Sequence, residues 1–211
     1  HGQKEERGDS AAAILLMVLA ILLCIAAYAP IADRDWFWDD IFHITKNPAV
    51  SGEDFSQVFT LDFWGRPHTT TGEGIWSYRP LATLLSRMAW QISPTPTMAR
   101  LLNLALHILA GIVLFRMSRR ILPPLGAGVA GAFFLLHPTH GEVISFAVGR
   151  ADVLAFLFMA ACFELYLRKR NTAALVVFFS GLLAKESAML VAVPIGVHAL
   201  ASGRWRSVLD I

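Results

Sequence analysis

Three groups of residues in this chain could do chemistry. Asp39 and Asp40 are adjacent carboxylates that follow Trp38. A carboxylate at the rim of a cavity can take the proton of an incoming hydroxyl, the work of a general base. The same pair could instead open a helix, where acidic side chains are stabilising. Arg79, Arg150 and Lys185 are suited to holding a phosphate, because a guanidinium binds it through two parallel hydrogen bonds and an ammonium adds a point charge. Their competing role is pairing with Asp152 and Glu186, and the two roles are compatible. His137, His140 and Glu142, spaced His-x-x-His-x-Glu, offer three ligand types to a divalent metal. Pro138 breaks the helical register on which tight metal spacings depend, so substrate contact or hydrogen-bonded packing is the alternative. Asn103 and His107 share one helix face, where an interhelical hydrogen bond is the simpler expectation.

The elements that must position these groups are membrane helices. Of 211 residues, 55% are hydrophobic and 16% charged, more apolar side chain than a soluble domain of this size can bury. The formal charge is a mild +2, which gives no basic face for nucleic acid. Cys24 and Cys162 both lie inside apolar runs and read as small buried hydrophobes. A polar head, residues 1–10, precedes an apolar run from Ala11 to Pro30 that is long enough to cross a hydrocarbon core of about 30 Å. A cleaved signal peptide is the competing account, disfavoured by the length of the run and by the lack of a small-x-small site before Asp33. Residues 31–97 form a loop rich in Asp, Trp, Gly, Pro and Thr, with short amphipathic pieces at Asp54–Phe59 and Leu81–Ile92. Trp36, Trp38, Trp64, Trp76 and Trp90 fall in it, as expected of interfacial helices at headgroup level. Residues 98–211 hold five further apolar pieces: Met98–Met117, Leu125–Leu136, Ala151–Leu167, Ala173–Ala184 and Ala188–Ala201. The shortest would rise only about 18 Å, so their ends should lie inside a protein cavity below the membrane surface. The chain opens on His1 and stops at Ile211 after a basic loop, which reads as part of something longer.

Charge sets the orientation. Lys4, Arg7, Arg116, Arg119, Arg120, Arg168, Lys169, Arg170, Arg204 and Arg206 are ten of the eighteen basic residues. They fall on one side against five acids, a balance of +5, and the other side carries −3. By the positive-inside rule the first side is cytoplasmic, and six spans with both ends inside satisfy the count. Five spans, with Ala173–Ala201 as one helix, is the alternative. On the six-span topology the acidic pair, Arg79, the His137–Glu142 stretch, Arg150, Asp152, Lys185 and Glu186 all reach the extracytoplasmic face. Ionisable groups at that depth are costly and usually functional, which points to an active site there.

A set of motifs then becomes familiar. Trp38-Asp39-Asp40 with His43-x-x-Lys46-Asn47, Phe59-Thr60-x-Asp62-Phe63-Trp64-Gly65, Ser77-Tyr78-Arg79-Pro80-Leu81, His137-Pro138-x-His140-x-Glu142, Gly149-Arg150-Ala151-Asp152 and Ala184-Lys185-Glu186 occur in this order between Trp36 and Leu200. The ordered set resembles the membrane portion of the transmembrane and tetratricopeptide-repeat O-mannosyltransferases and their bacterial relatives. The resemblance implies an all-α polytopic membrane module of the type C glycosyltransferase kind, followed in relatives by a repeat domain. It further implies an inverting transferase that takes a sugar, mannose in the eukaryotic members, from a polyprenyl-phosphate carrier to protein Ser or Thr hydroxyls. The work would be done outside the cytoplasm, across a bacterial inner membrane or the endoplasmic reticulum. By this resemblance Asp39 is the base with Asp40 beside it. Arg79, Arg150 and Lys185 hold the donor phosphate, while His137, His140, Glu142, Asp152 and Glu186 bind substrate or shape the site. The partners implied are the lipid-linked sugar, an acceptor protein and the bilayer, without nucleic acid. No cofactor is assigned, and a divalent metal is a secondary expectation. A lipid-binding scaffold or transporter using the same polar face without chemistry is the alternative class, as is a metal-dependent hydrolase built on His137, His140 and Glu142.

Overall fold

Short polar residues and prolines mark where the helices begin. The side chains of Asn47 and Thr95 accept the backbone N–H groups of Ala49 and Met98 at 2.9 and 3.3 Å. Pro48 and Pro96 follow them in the first turn, where a missing N–H costs nothing. Pro80 and Pro124 open two further helices in the same way. The computed structural model describes residues 2–32, 34–67 and 77–203, with side chains from residue 8 onward. The expectations on Trp76, Arg204, Arg206 and Asp210, and on the side chains of Lys4, Glu5, Glu6 and Arg7, lie outside the described residues.

Among the described residues the chain is all-helical, apart from one isolated bridge between Leu61 and Pro67. Helix α1 runs Gly2–Tyr28 and ends in a 3-10 turn, Ala29–Ile31. A π-helical turn, Ile41–Thr45, and the single-turn helices α2 (Pro48–Ser51) and α3 (Gln57–Thr60) build the loop that follows, and α4 (Pro80–Ile92) closes it. The long α5 (Pro96–Ser118) leads to α6 (Pro124–Leu136), the short α7 (His140–Ser145), α8 (Arg150–Leu167) and α9 (Asn171–Ala184). A 3-10 segment, Glu186–Val191, then enters α10 (Ala192–Ala201).

Among the described residues two stretches are long and apolar enough to cross a membrane, Gly8–Ile31 and Pro96–Ser118. On α1 the buried stripe is Ala13, Met17, Ala20 and Cys24, one helical face, while Leu15, Leu19, Leu22 and Leu23 stay about half exposed. Exposed apolar faces also run along α6 (Val129, Phe133), α9 (Val176, Phe179) and α10 (Val193, Val197). Such surface has no favourable solvent in water, and hydrocarbon would cover it. Small residues bring the helices together. A Cβ at Gly128 would stand 3.0–3.2 Å from the backbone and Cβ of Ala13, so only glycine lets α1 and α6 touch there.

Side-chain pairs fix the direction of each helix. Ala13 meets Gly128 and Met17 meets Gly131, so α1 and α6 run parallel. Gly111 on α5 meets Leu135 near the far end of α6. Arg119, just beyond α5, donates to Ser10, and Arg116 and Arg168 both reach Glu164, which puts these residues at one end of the bundle. Lys185 breaks the helix with an extended backbone (φ −164°, ψ 144°), so the single helix over Ala173–Ala201 of the five-span alternative does not form. Instead the chain turns back: Lys185 pairs with Asp152, Val191 packs on Cys162 and Phe163, and Tyr166 bonds His198. The segment after Lys185 therefore runs parallel to α8 and antiparallel to α9. Cys24 and Cys162 are buried free thiols.

The loop is packed rather than draped. Trp36 and Trp90 lie 6.3 Å apart over Ile44, Val50, Ala99 and Ala147, and Trp64 packs on the cluster of Phe63, Ala82 and Leu154. Of the four described tryptophans of this loop only Trp38 stands largely exposed. The other three are half-buried and lend ring area to a core within the loop.

Candidate active site

Behind the turn that follows α1 the chain does something costly. Trp38 adopts φ +47°, a left-handed backbone that a bulky side chain rarely takes, at a cost of roughly 1–3 kcal/mol. The Asp40 N–H donates to Phe37 O at 3.1 Å and that of Ile41 to Trp38 O at 3.0 Å. The turn sends the two adjacent carboxylates opposite ways. Asp39 is exposed and lines a cavity, whereas Asp40 is fully buried. Its Oδ1 accepts the Val148 N–H at 3.1 Å and its Oδ2 has no hydrogen-bond partner. Burial raises the Asp40 carboxyl above its usual range. The backbone N–H groups of Val148 and Ala147 and the charges of Arg100 and Arg150 oppose that rise.

The cavity has a volume of about 370 Å³. Its ionisable lining is Asp39, Arg79, Glu142, Asp152 and Lys185, and Trp38, Phe63, Trp64 and Phe146 supply aromatic walls. These residues come from the turn after α1, the N-terminus of α4, α7, the first turn of α8 and the break after α9. The cations arrive paired. Arg79 lies over the Phe63 ring at 5.0 Å and makes two bonds to Glu186, Nη2 to Oε1 at 2.7 Å and Nε to Oε2 at 3.2 Å. Arg79 holds the Glu186 carboxyl below its ordinary range. Lys185 pairs with Asp152. Three acids and two bases among the lining leave a net charge of −1.

Arg150 is not part of this lining. It is 1% exposed, and its guanidinium donates to Asn103 Oδ1 (3.1 Å), Ser86 Oγ (2.6 Å) and the Ala99 carbonyl (3.1 Å). The expectation of three basic groups around one phosphate therefore reduces to two at the cavity. With its donors engaged by α4 and α5, Arg150 acts as a strut between helices. The network continues through Ser86 to His43 Nε2 (3.1 Å), and His43 Nδ1 donates to the Phe63 carbonyl at 2.7 Å. Because a carbonyl can only accept, Nδ1 carries the proton. Burial pushes the His43 imidazole down to about 3, so it is neutral at physiological pH.

Of His137, His140 and Glu142, the two imidazoles stay edge to face at 6.0 Å and only Glu142 lines the cavity. His137 bonds Thr139, the His140 ring packs 5.0 Å from His107 and 4.6 Å from Phe134, and Glu142 faces the cavity. Among the described residues no group of three His, Cys, Asp or Glu side chains is placed to hold a metal. Asn103 donates to the carbonyls of Val143 and Phe146, and His107 meets the Leu135 carbonyl at 3.3 Å.

Two buried arginines to which the sequence reading gave no part hold the loop. Arg100 donates to the carbonyls of Ala32, Arg34, Asp35 and Ser145, and Arg87 to those of Ala49, Glu53 and Asp54. The readable signal was a lone arginine on the buried side of an amphipathic or apolar helix, which has to find partners. His43 and Ser86 gave no comparable signal.

Comparison with known proteins places this arrangement. The chain is 29% identical over 212 residues to a protein O-mannosyl-transferase of Caenorhabditis elegans, covering 96% of this chain and 30% of the relative. It is 32% identical over 185 residues to Drosophila melanogaster protein O-mannosyl-transferase Tmtc2 (79% and 20%). With human protein O-mannosyl-transferase TMTC2 it shares 36% over 156 residues (71% and 18%). The chain belongs to the transmembrane and tetratricopeptide-repeat (TMTC) family. It spans about a third or less of the length of these relatives. No family model matches it. No solved structure matches it. The match to the Caenorhabditis elegans relative, at 96% of this TMTC chain, takes in Asp39, Arg79 and Lys185, the three groups that meet at the cavity.

Proposed function

We propose that this chain is the membrane portion of an inverting type C glycosyltransferase. It moves a mannose-like sugar from a polyprenyl-phosphate carrier to Ser or Thr hydroxyls of proteins, on the extracytoplasmic or lumenal side of the membrane. The names of its relatives support protein O-mannosyl transfer. One cavity that gathers Asp39, Arg79 and Lys185 from segments far apart in sequence carries the reading. The chain crosses the membrane six times in this account. The basic residues Arg116, Arg119 and Arg168 at one end and the cavity at the other support a cytoplasmic end opposite the site.

In the reaction the acceptor hydroxyl oxygen attacks the anomeric carbon from the face opposite the phosphate. Its proton passes to Asp39, the new carbon–oxygen bond forms, and the bond to the phosphate oxygen breaks with its electron pair. The lipid phosphate leaves as an anion, so it needs cations more than an acid. Arg79 and Lys185 supply them by exchanging Glu186 and Asp152 for phosphate oxygens, and the freed carboxylates shape the sugar site with Glu142. Asp40 touches no substrate in this scheme. Through Val148 it sets the turn on which Asp39 sits, and Arg150 fixes α4 and α5 behind it.

The test is the fate of a sugar label on a polyprenyl-phosphate donor incubated with the purified protein and a Ser/Thr peptide. Label moving to the peptide supports the transferase. Binding without turnover would make the protein a scaffold or transporter, and label released to water would make it a hydrolase.

A further inference from the structure

A second cavity, of about 400 Å³, lies on the other side of Phe146. Trp36, Phe37, Phe146 and Ile31 make its apolar walls, and its ionisable lining is the exposed Arg34 and Asp35 with the buried Arg100. The walls are fixed in advance, since one guanidinium, that of Arg100, donates to the carbonyls of Ala32, Arg34 and Asp35 on one side and of Ser145 on the other. Phe146 lines both cavities. Phe37 packs 5.8 Å from Phe146 and stacks 5.9 Å from Trp38, which faces the first cavity. The partition between the two spaces is thus one row of aromatic rings.

Two spaces that share the Phe146 ring as a wall can be entered by neighbouring side chains of one extended polypeptide. Side chains two residues apart point the same way and stand about 6.6–7 Å apart. We infer that the second cavity is an acceptor subsite, which takes an apolar side chain two residues from the Ser or Thr whose hydroxyl meets Asp39. An extended acceptor segment lies across the Phe37–Phe146 ridge with one side chain in each space. The inference rests on the transferase reading above and adds a sequence preference to it. The Arg100 guanidinium in its lining is engaged by backbone carbonyls, and the aromatic walls select by buried area.

Acceptor peptides that differ only in Phe or Gly two positions from the serine test it. With wild-type protein the Phe peptide should exceed the Gly peptide roughly tenfold in kcat/KM, as burial of one large apolar side chain allows. Phe37→Ala should bring that ratio close to one by raising KM for the Phe peptide. A ratio near one in the wild type would overturn the subsite while leaving the transferase intact. Binding is measured separately, without donor, by photocrosslinking a peptide that carries a benzophenone side chain at the same position. Label on residues 34–37 or 145–146 is expected and would stand even if no sugar were transferred. Label elsewhere would reject the subsite.

Discussion

Arg79 and Arg150 each stand in a motif and each meet residues from distant parts of the chain, yet they are in opposite situations. Arg79 lines the open cavity and is held by Glu186, a carboxylate that is itself exposed. Arg150 is enclosed, with donors on a side-chain amide, a hydroxyl and a carbonyl that have no water to turn to. The one exposed carboxylate of the Arg79–Glu186 pair leaves it screened by solvent and exchangeable for another anion. Leaving buried polar partners unmet costs about 1–3 kcal/mol each, so the inner contacts cannot be traded. The outer arginine is available to a substrate and the inner one to the fold.

Substitution should separate them. Arg150→Met leaves Asn103, Ser86 and the Ala99 carbonyl without their donor, and thermal unfolding in detergent should show a loss of several kcal/mol, or no folded protein. Arg79→Gln should unfold within about 1 kcal/mol of the wild type and bind the lipid-phosphate donor roughly ten- to a hundredfold more weakly, by titration. Equal loss of stability in the two would erase the distinction.

The network around Arg150 also carries a pH dependence. The folded state depresses the His43 imidazole, so its contribution is fully present above the unfolded value near 6.5 and is lost as pH falls toward about 3. Stability should drop by about 1.4 kcal/mol per pH unit below 6.5, and His43→Gln should flatten that part of the unfolding profile. A parallel profile in the variant would remove His43 from the account. The smallest effect is expected at the outer pairs. Glu186→Gln releases Arg79 from its resting partner, so donor affinity should rise a few-fold with little change in unfolding. A fall in affinity would mean that Glu186 holds the sugar more than it restrains Arg79.

How much of this was legible beforehand differs by region. The apolar runs gave α5, α6, α8 and α9 to within a few residues, because an apolar helix is marked by length and hydropathy alone. Lys185-Glu186 announced the reversal after α9, since two charges inside an apolar stretch cannot stay in it. Depth was not legible. The Gly149-Arg150-Ala151-Asp152 motif places Asp152 at the cavity and Arg150 inside the protein, and the difference comes from how α4 and α5 pack, not from the motif. Asp39 and Asp40 are alike in sequence, and the left-handed turn at Trp38 decides which one faces the cavity.

That assignment is the centre of the account, and sugar transfer by Asp39→Asn beside Asp40→Asn tests it most directly. Asn at position 39 keeps the shape and removes the base, and transfer should fall at least about a hundredfold while donor affinity holds. At position 40 the amide oxygen still accepts the Val148 N–H, so transfer should fall far less. Near-normal transfer in Asp39→Asn, or a greater loss in Asp40→Asn than in Asp39→Asn, would contradict it.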